Sequence, residues 1–224
     1  MYLISFIWIV RRPAVFAAPL LAAVVALLLG SFSGYMTDPL GGFGAGIFQI
    51  VIEIAYGFAL GVAVIFARDC WRGRRAGFDS AWEEARGKAG SIVLATIGFW
   101  FIVYVAALVG GLFGVWGGIG GELVATFFLI YAIPAAAIGG FPGSVALSAS
   151  IRAVRNHPLP TALLAIVFIL LWFYLPSLVL PLIWPYTNPT TAQLAAAVLQ
   201  AVTLGYLAFP LAKGYDEVSL SRLS

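Results

Sequence analysis

One ionisable side chain, Glu53, falls well inside an apolar stretch long enough to cross a bilayer. Gln49, Glu53 and Tyr56 follow i, i+4, i+7, so a helix there carries a polar stripe. A carboxylate in hydrocarbon must hold a proton or meet a partner, because the isolated charge costs at least about 3 kcal/mol. A second stripe, Gln193, Gln200, Thr203 and Tyr206, runs along the last apolar stretch. Two such stripes can line a water-filled path or a headgroup slot. Equally, they can lock a bundle through interhelical hydrogen bonds of ~0.6 kcal/mol each. Tyr56, Tyr131 and Tyr206 recur at intervals of 75 residues and are candidates for a ring about a common axis, with simple packing as the alternative. The candidate intramembrane site is therefore Gln49, Glu53, Tyr56, Tyr131, Gln193, Gln200 and Tyr206.

Enzymatic chemistry finds no foothold. H-E-x-x-H, G-x-S-x-G and Walker patterns are missing, and the intramembrane acids do not pair. His157 has no companion ligands, and the single cysteine, Cys70, excludes an internal disulfide or cysteine cluster. No catalytic residues, no metal and no cofactor are expected.

The elements that must position the stripes are helices in a membrane. The chain is 62% hydrophobic and 9% charged, with a mean hydropathy of +1.04, against about 25% charge in a soluble domain. Spans are expected at about 13–29, 46–67, 91–112, 122–138, 160–182 and 191–211. Outer loops are expected at 30–45, 110–121 and Trp184–Pro189, and a short tail after Leu211. Arg11-Arg12 follows an apolar segment instead of preceding one, so the N-terminus reads as a surface-to-span joint and not as a signal peptide.

Short amphipathic segments precede alternate spans. Phe78, Ala81, Trp82, Ala85 and Ala89 share one helical face, opposite Asp79, Glu83, Glu84, Arg86 and Lys88. Ser80 and Glu83 have capping-box spacing. Residues 144–156 set Arg152 and Arg155 against Leu147, Ile151 and Val154, and residues 2–12 form a weaker copy. The expectation is an all-α polytopic integral membrane protein: one membrane domain, 1–224, in three pseudo-repeated hairpins (1–75, 76–143, 144–224). Each hairpin follows a helix lying at the inner interface. Pro134 and Pro210 are candidate kinks.

With this threading all twelve Lys and Arg fall on one side, which the positive-inside rule makes cytoplasmic, with both termini. Arg11, Arg12, Arg86, Lys88, Arg152 and Arg155 are the expected contacts to anionic headgroups. That use accounts for the net charge of +3, so nucleic acid is not an expected partner, whereas other membrane proteins are.

Ala81-Trp82-Glu83-Glu84-Ala85-Arg86 and Ser150-Ile151-Arg152-Ala153-Val154-Arg155 form similar joints before spans. In this pattern the chain resembles a loose group of prokaryotic six-span membrane families, including the membrane domain attached to some glycerophosphoryl diester phosphodiesterases. The resemblance implies a membrane module without the phosphodiesterase activity, whose domain is not in this sequence. The expected function is a non-enzymatic scaffold or accessory subunit that binds lipid or partner helices. The alternative is a small secondary transporter or channel using the polar face around Glu53. An intramembrane lipid enzyme holding phosphate on Arg86 and Arg155 ranks last, because the sequence offers it no nucleophile or base. The first requires Glu53 to be capped by a neighbouring span, and the second requires a cavity that reaches it.

Overall fold

The structure is a computed structural model that describes residues 2–40, 42–74, 76–183 and 188–220. Every regular element among them is helical. Helix α1 (Tyr2–Arg11) turns through a 3-10 segment (Pro13–Phe16) into α2 (Ala17–Leu40), which pairs with α3 (Gly42–Trp71). Helix α4 (Phe78–Gly87) leads into α5 (Ala89–Gly111), which pairs with α6 (Val115–Leu129) and α7 (Ala132–Ala137). Helix α8 (Gly143–Asn156) precedes α9 (Pro158–Ile169), a π-helical turn (Leu170–Tyr174) and α10 (Leu175–Ile183), which pack against α11 (Pro189–Leu220). Six stretches are long and apolar enough to cross a bilayer: Pro13–Gly30, Gly46–Trp71, Ala89–Gly111, Val115–Ala137, Pro158–Leu182 and Thr191–Ser219.

The second span of each hairpin is the inner one. Spans 2, 4 and 6 have 61%, 56% and 56% of their apolar windows buried, against 28%, 28% and 24% for spans 1, 3 and 5. Small residues permit the close approach. A Cβ on Gly57 would collide with Thr96, one on Gly110 with the Gly117 carbonyl, and one on Gly121 with the Ala106 carbonyl. With little hydrophobic drive between helices in lipid, such backbone proximity is a main source of helix association.

Several boundaries differ from the expectation. The Gly-rich 30–45 stretch is not an open loop: α2 continues to Leu40 and α3 begins at Gly42. The 110–121 stretch is helical except for residues 112–114, where Gly114 takes φ 95°. Gly disfavours helix in water, but in an apolar medium every backbone group must be satisfied internally, which favours helix. The expected loop at Trp184–Pro189 lies largely outside the described residues, which also exclude Arg75 and Arg222. No capping box forms on α4. Its N-cap is Gly77, and Ser80 Oγ donates to the Gly77 carbonyl at 3.0 Å.

Chain past Leu211 is helix, not a loose tail, because the end of α3 holds it. Trp71 Nε1 donates to the Phe209 carbonyl at 3.0 Å. Arg72 grips Asp216 through two nitrogens at 3.0 and 3.2 Å, and Lys213 Nζ lies 5.6 Å from the Trp71 ring centre. The helix runs unbroken through Pro210.

Span 4, by contrast, breaks between α6 and α7. Pro134 has no N–H to offer the preceding turn. Ser150 of α8, wholly buried, bridges the gap: the Tyr131 N–H donates to its Oγ at 3.1 Å, and Oγ donates to the Phe128 carbonyl at 2.8 Å. Ser150→Ala should therefore strand a buried donor and acceptor at a cost of about 1–3 kcal/mol. Thermal unfolding in detergent reads this as a lowered midpoint; an unchanged midpoint would mean the break needs no bridge.

Candidate functional site

Glu53 lies seven residues into span 2, about 10 Å from its start at ~1.5 Å per residue. Gln49 Nε2 donates to Glu53 Oε1 at 2.7 Å, one turn away on the same helix. The other carboxylate oxygen, Oε2, is buried and has no hydrogen-bond partner; the same holds for the Tyr56 hydroxyl. Among the described residues, no other helix caps the carboxylate.

A cavity of about 250 Å3 separates α3 from α2 and α11 at this level. Gln49, Glu53 and Tyr56 face Gln193 and Gln200 across it, and Ala26, Leu27 and Gly30 of α2 close the third side. The two polar stripes thus meet in one space, although they are some 140 residues apart in sequence. Small side chains on α2 and α11 keep the space open: Ala26, Gly30, Ala196 and Ala197 reach too little to fill it.

Tyr131 and Tyr206 do not join them. The Tyr131 hydroxyl lies 3.5 Å from Thr161 Oγ1, and its ring sits 6.0 Å from that of Tyr215. Tyr206 lines a separate apolar cavity of about 450 Å3 with Phe6, Phe16 and Leu171, and Thr203 faces that cavity too. The span 6 stripe therefore splits between two spaces. The recurrence at 75 residues places the tyrosines on the three inner spans without bringing their rings together.

Glu53 borders two more spaces. One, about 180 Å3, lies between α3 and α5 and is walled by Ile50, Ile54, Ile97, Trp100, Phe101 and Tyr104. The other is a narrow pocket of about 20 Å3 among Tyr56, Phe99, Phe168 and Trp172. Beyond it, toward the arginine-rich end, Val64, Ile65, Leu207 and Phe209 are wholly buried, so the space ends in mid-bundle.

Trp100 and Trp172 both border the site. Their rings belong to a continuous series from spans 2, 5 and 3. Tyr56 meets Trp172 edge-on at 5.7 Å, and Trp172 stacks on Phe168 at 6.4 Å. Phe168 meets Phe99 at 6.4 Å, Phe99 meets Trp100 at 5.2 Å, and Trp100 stacks on Tyr104 at 5.6 Å. Trp172 sits on the π-helical turn of span 5. Such turns widen the helix locally by one residue, and they recur at functional sites.

The expected headgroup residues lie at the other end. Arg11, Arg12, Arg152 and Arg155 are exposed, and Arg86 is exposed with Glu83 at 3.8 Å. Lys88 is engaged within the protein instead: its Nζ donates to Glu84 Oε1 at 2.8 Å and to the Ala137 carbonyl at 2.7 Å. Arg68, just past the expected end of span 2, has a side chain only 9% exposed. It forms a two-nitrogen fork on Glu84 at 2.8 and 2.9 Å and also binds Asp69 at 2.8 and 3.0 Å.

Among the described residues no group of three or more His, Cys, Asp or Glu could hold a metal ion. Comparison with protein-family models, curated proteins and solved structures returns no match for this chain. The side chains around Glu53 must carry the functional reading by themselves.

Proposed function

We propose that the chain is a small secondary transporter that binds a polar or charged solute at Glu53. The observation that carries this reading is the carboxylate itself. Its only donor among the described residues is on its own helix, its second oxygen is buried without a partner, and a cavity shared by three spans opens onto it. A scaffold or accessory subunit has no use for an unsatisfied acid, and interhelical locking would have supplied a donor from α2 or α11. Gln193 and Gln200 stand across a cavity instead of in contact with the carboxylate. The Gln amides supply donors and acceptors for a solute, and Glu53 supplies the charge that a proton or cation must balance.

The setting is part of the proposal. The chain resides in the cytoplasmic membrane with the arginine-rich ends of its spans and both termini in the cytoplasm. Helices α1, α4 and α8 lie at that interface, and Arg11, Arg12, Arg86, Arg152 and Arg155 meet anionic lipid. The hairpins are three copies of one unit, a reading supported by the inner placement of each second span. Their axis then lies along the membrane normal. The polar cavity faces away from the cytoplasm, and the packed half beneath it must open for passage.

The test is proteoliposomes loaded with a pH-sensitive dye and challenged with Na+, K+ or tetramethylammonium outside. A cation-driven change in lumenal pH that empty vesicles lack is the expected result. Identical traces with and without protein, for all three cations, would end the transporter reading.

A further inference from the structure

We infer that the ligand held at Glu53 is a hydrophobic organic cation: an ammonium group carrying an apolar ring or chain. The inference rests on Glu53 being a ligand site, as proposed above, and adds the chemical class.

Charge gives the first restriction. Of the described residues lining the three spaces that meet at Glu53, none is a Lys, Arg or His, so among them an anion finds no counter-charge. Glu53 is the one carboxylate among them. The wall gives the second restriction. A divalent metal ion asks for six or more oxygen ligands, or for waters that the site must also accommodate. On the α5 and α9–α10 side Glu53 instead faces rings: Trp100, Tyr104, Phe99, Phe168 and Trp172, joined to Tyr56 in one series of contacts. Aromatic rings around a carboxylate suit a weakly hydrated ammonium, which gains cation–π attraction over a ring face and needs no inner-sphere oxygens.

The third restriction is that the spaces differ in character. On one side of Glu53, amides of Gln49, Gln193 and Gln200 line the 250 Å3 cavity. On the other, the 180 Å3 space is mainly hydrocarbon and aromatic, with Gln49 and Thr96 as its neutral polar members, and its rim residues Ile50, Ile97 and Phe101 are themselves exposed on the outer surface of the bundle. An amphiphile fits this split: its ammonium at Glu53, and its apolar group among Ile54, Trp100 and Phe101. The rim between α3 and α5 is then an entrance from the lipid. Tyr56, only 3% exposed and with a hydroxyl that has no hydrogen-bond partner, lines the polar cavity and the narrow pocket beside Glu53.

Binding balances as an exchange. The protonated carboxyl releases its proton to water as the ammonium arrives, so the site stays neutral and one charge replaces another. The groups facing Glu53 leave this exchange to it alone. Among the described residues, its own helix offers Tyr56 and the neutral Gln49, α5 offers Tyr104, α11 offers neutral Gln193 and Gln200, and α2 offers Ala26, Leu27 and Gly30.

The test is equilibrium dialysis of the purified full chain in nanodiscs with radiolabelled benzyltrimethylammonium. Competitors are its uncharged carbon isostere, neopentylbenzene, and benzenesulfonate. Saturable binding displaced by neither competitor is expected. Affinity should fall about tenfold per pH unit on the acid side, where proton and cation compete. Glu53→Gln should weaken it by at least about thirtyfold, and Trp100→Leu or Trp172→Leu by about five- to thirtyfold, the worth of one desolvated cation–π contact. If Glu53→Gln does not fold, the wild-type pH profile and a comparison of Trp172→Phe with Trp172→Leu decide. Displacement by neopentylbenzene equal to that by the cation itself, or unchanged affinity at low pH, overturns the inference. Binding without any proton flux would keep the ligand class and remove the transporter. Na+- or K+-driven flux without benzyltrimethylammonium binding would do the reverse.

Discussion

Glutamine at position 53 is expected to reduce cation-driven proton movement in proteoliposomes to the level of empty vesicles while leaving the thermal midpoint within about 1 °C of the parent. The substitution is nearly isosteric, and its carbonyl oxygen can still accept from Gln49 Nε2, the one hydrogen bond the carboxylate now receives. Its amide nitrogen can donate to the Tyr56 hydroxyl, which has no partner. Structure therefore loses little. What disappears is the ability to carry a proton in one state and a negative charge in the other. At about 4 Å and an effective dielectric constant of about 20, a carboxylate attracts a monovalent cation by about 4 kcal/mol, or roughly three orders of magnitude in affinity. Glu53→Asp keeps the charge but withdraws it by one methylene, so partial flux is expected there. Full flux in Glu53→Gln would show that the acid is a structural residue, and the scaffold reading would return.

The row Gln49–Glu53–Tyr56 was legible because it is local: helical spacing alone puts the three on one face, and hydrocarbon makes the acid conspicuous. Its meeting with Gln193 and Gln200 was legible only as one of two options, since polar stripes in an apolar bundle either pair or line a space. The six spans followed from composition, and the gathering of bases at one end from their positions. Other features left no trace in the sequence. Leu170-Leu171-Trp172-Phe173-Tyr174 reads like any apolar helix, and nothing in it announces a π turn. Trp100 and Trp172 are ordinary for such spans, so only their neighbours in space give them a role. Ser150 lay in a stretch read for its arginines, while its hydroxyl serves a break about twenty residues upstream. Charge counting assigned Arg68 to a side of the membrane but could not say that Glu84, sixteen positions on, would take it out of water.

Arg68→Ala should be the most damaging single change at the arginine-rich end, lowering stability by about 3 kcal/mol, because it strips a partly buried ion cluster of its central charge. Arg68 ties the end of α3 to α4 through Glu84, and Glu84 in turn holds Lys88, which reaches the Ala137 carbonyl at the end of α7. Three segments thus meet through one charge cluster, with Arg68 and Lys88 joined by Glu84. Acid offers an independent reading of the same cluster. The hydrogen bonds from Arg68, followed by those from Lys88, hold the Glu84 carboxyl down to about 2 from its ordinary 4.5. The folded chain therefore binds fewer protons than the unfolded one between those values. The stabilisation is fully present above about pH 4.5 and is lost as the pH falls toward 2. With Glu84 side-chain exposure at 31%, solvent screens part of this effect, so its position on the pH axis is more telling than its size. Thermal midpoints in detergent, followed from pH 7 to pH 2, should drop through that window in the parent. In Arg68→Ala they should start lower and fall less, since the main cause of the depressed carboxyl is gone. Glu84→Gln should flatten the same window, because the titrating carboxyl is gone. If Arg68→Ala keeps the parent's midpoint at neutral pH and its full acid transition, Arg68 does not hold the three segments together, and their order must come from the apolar contacts of α7 and α8 alone.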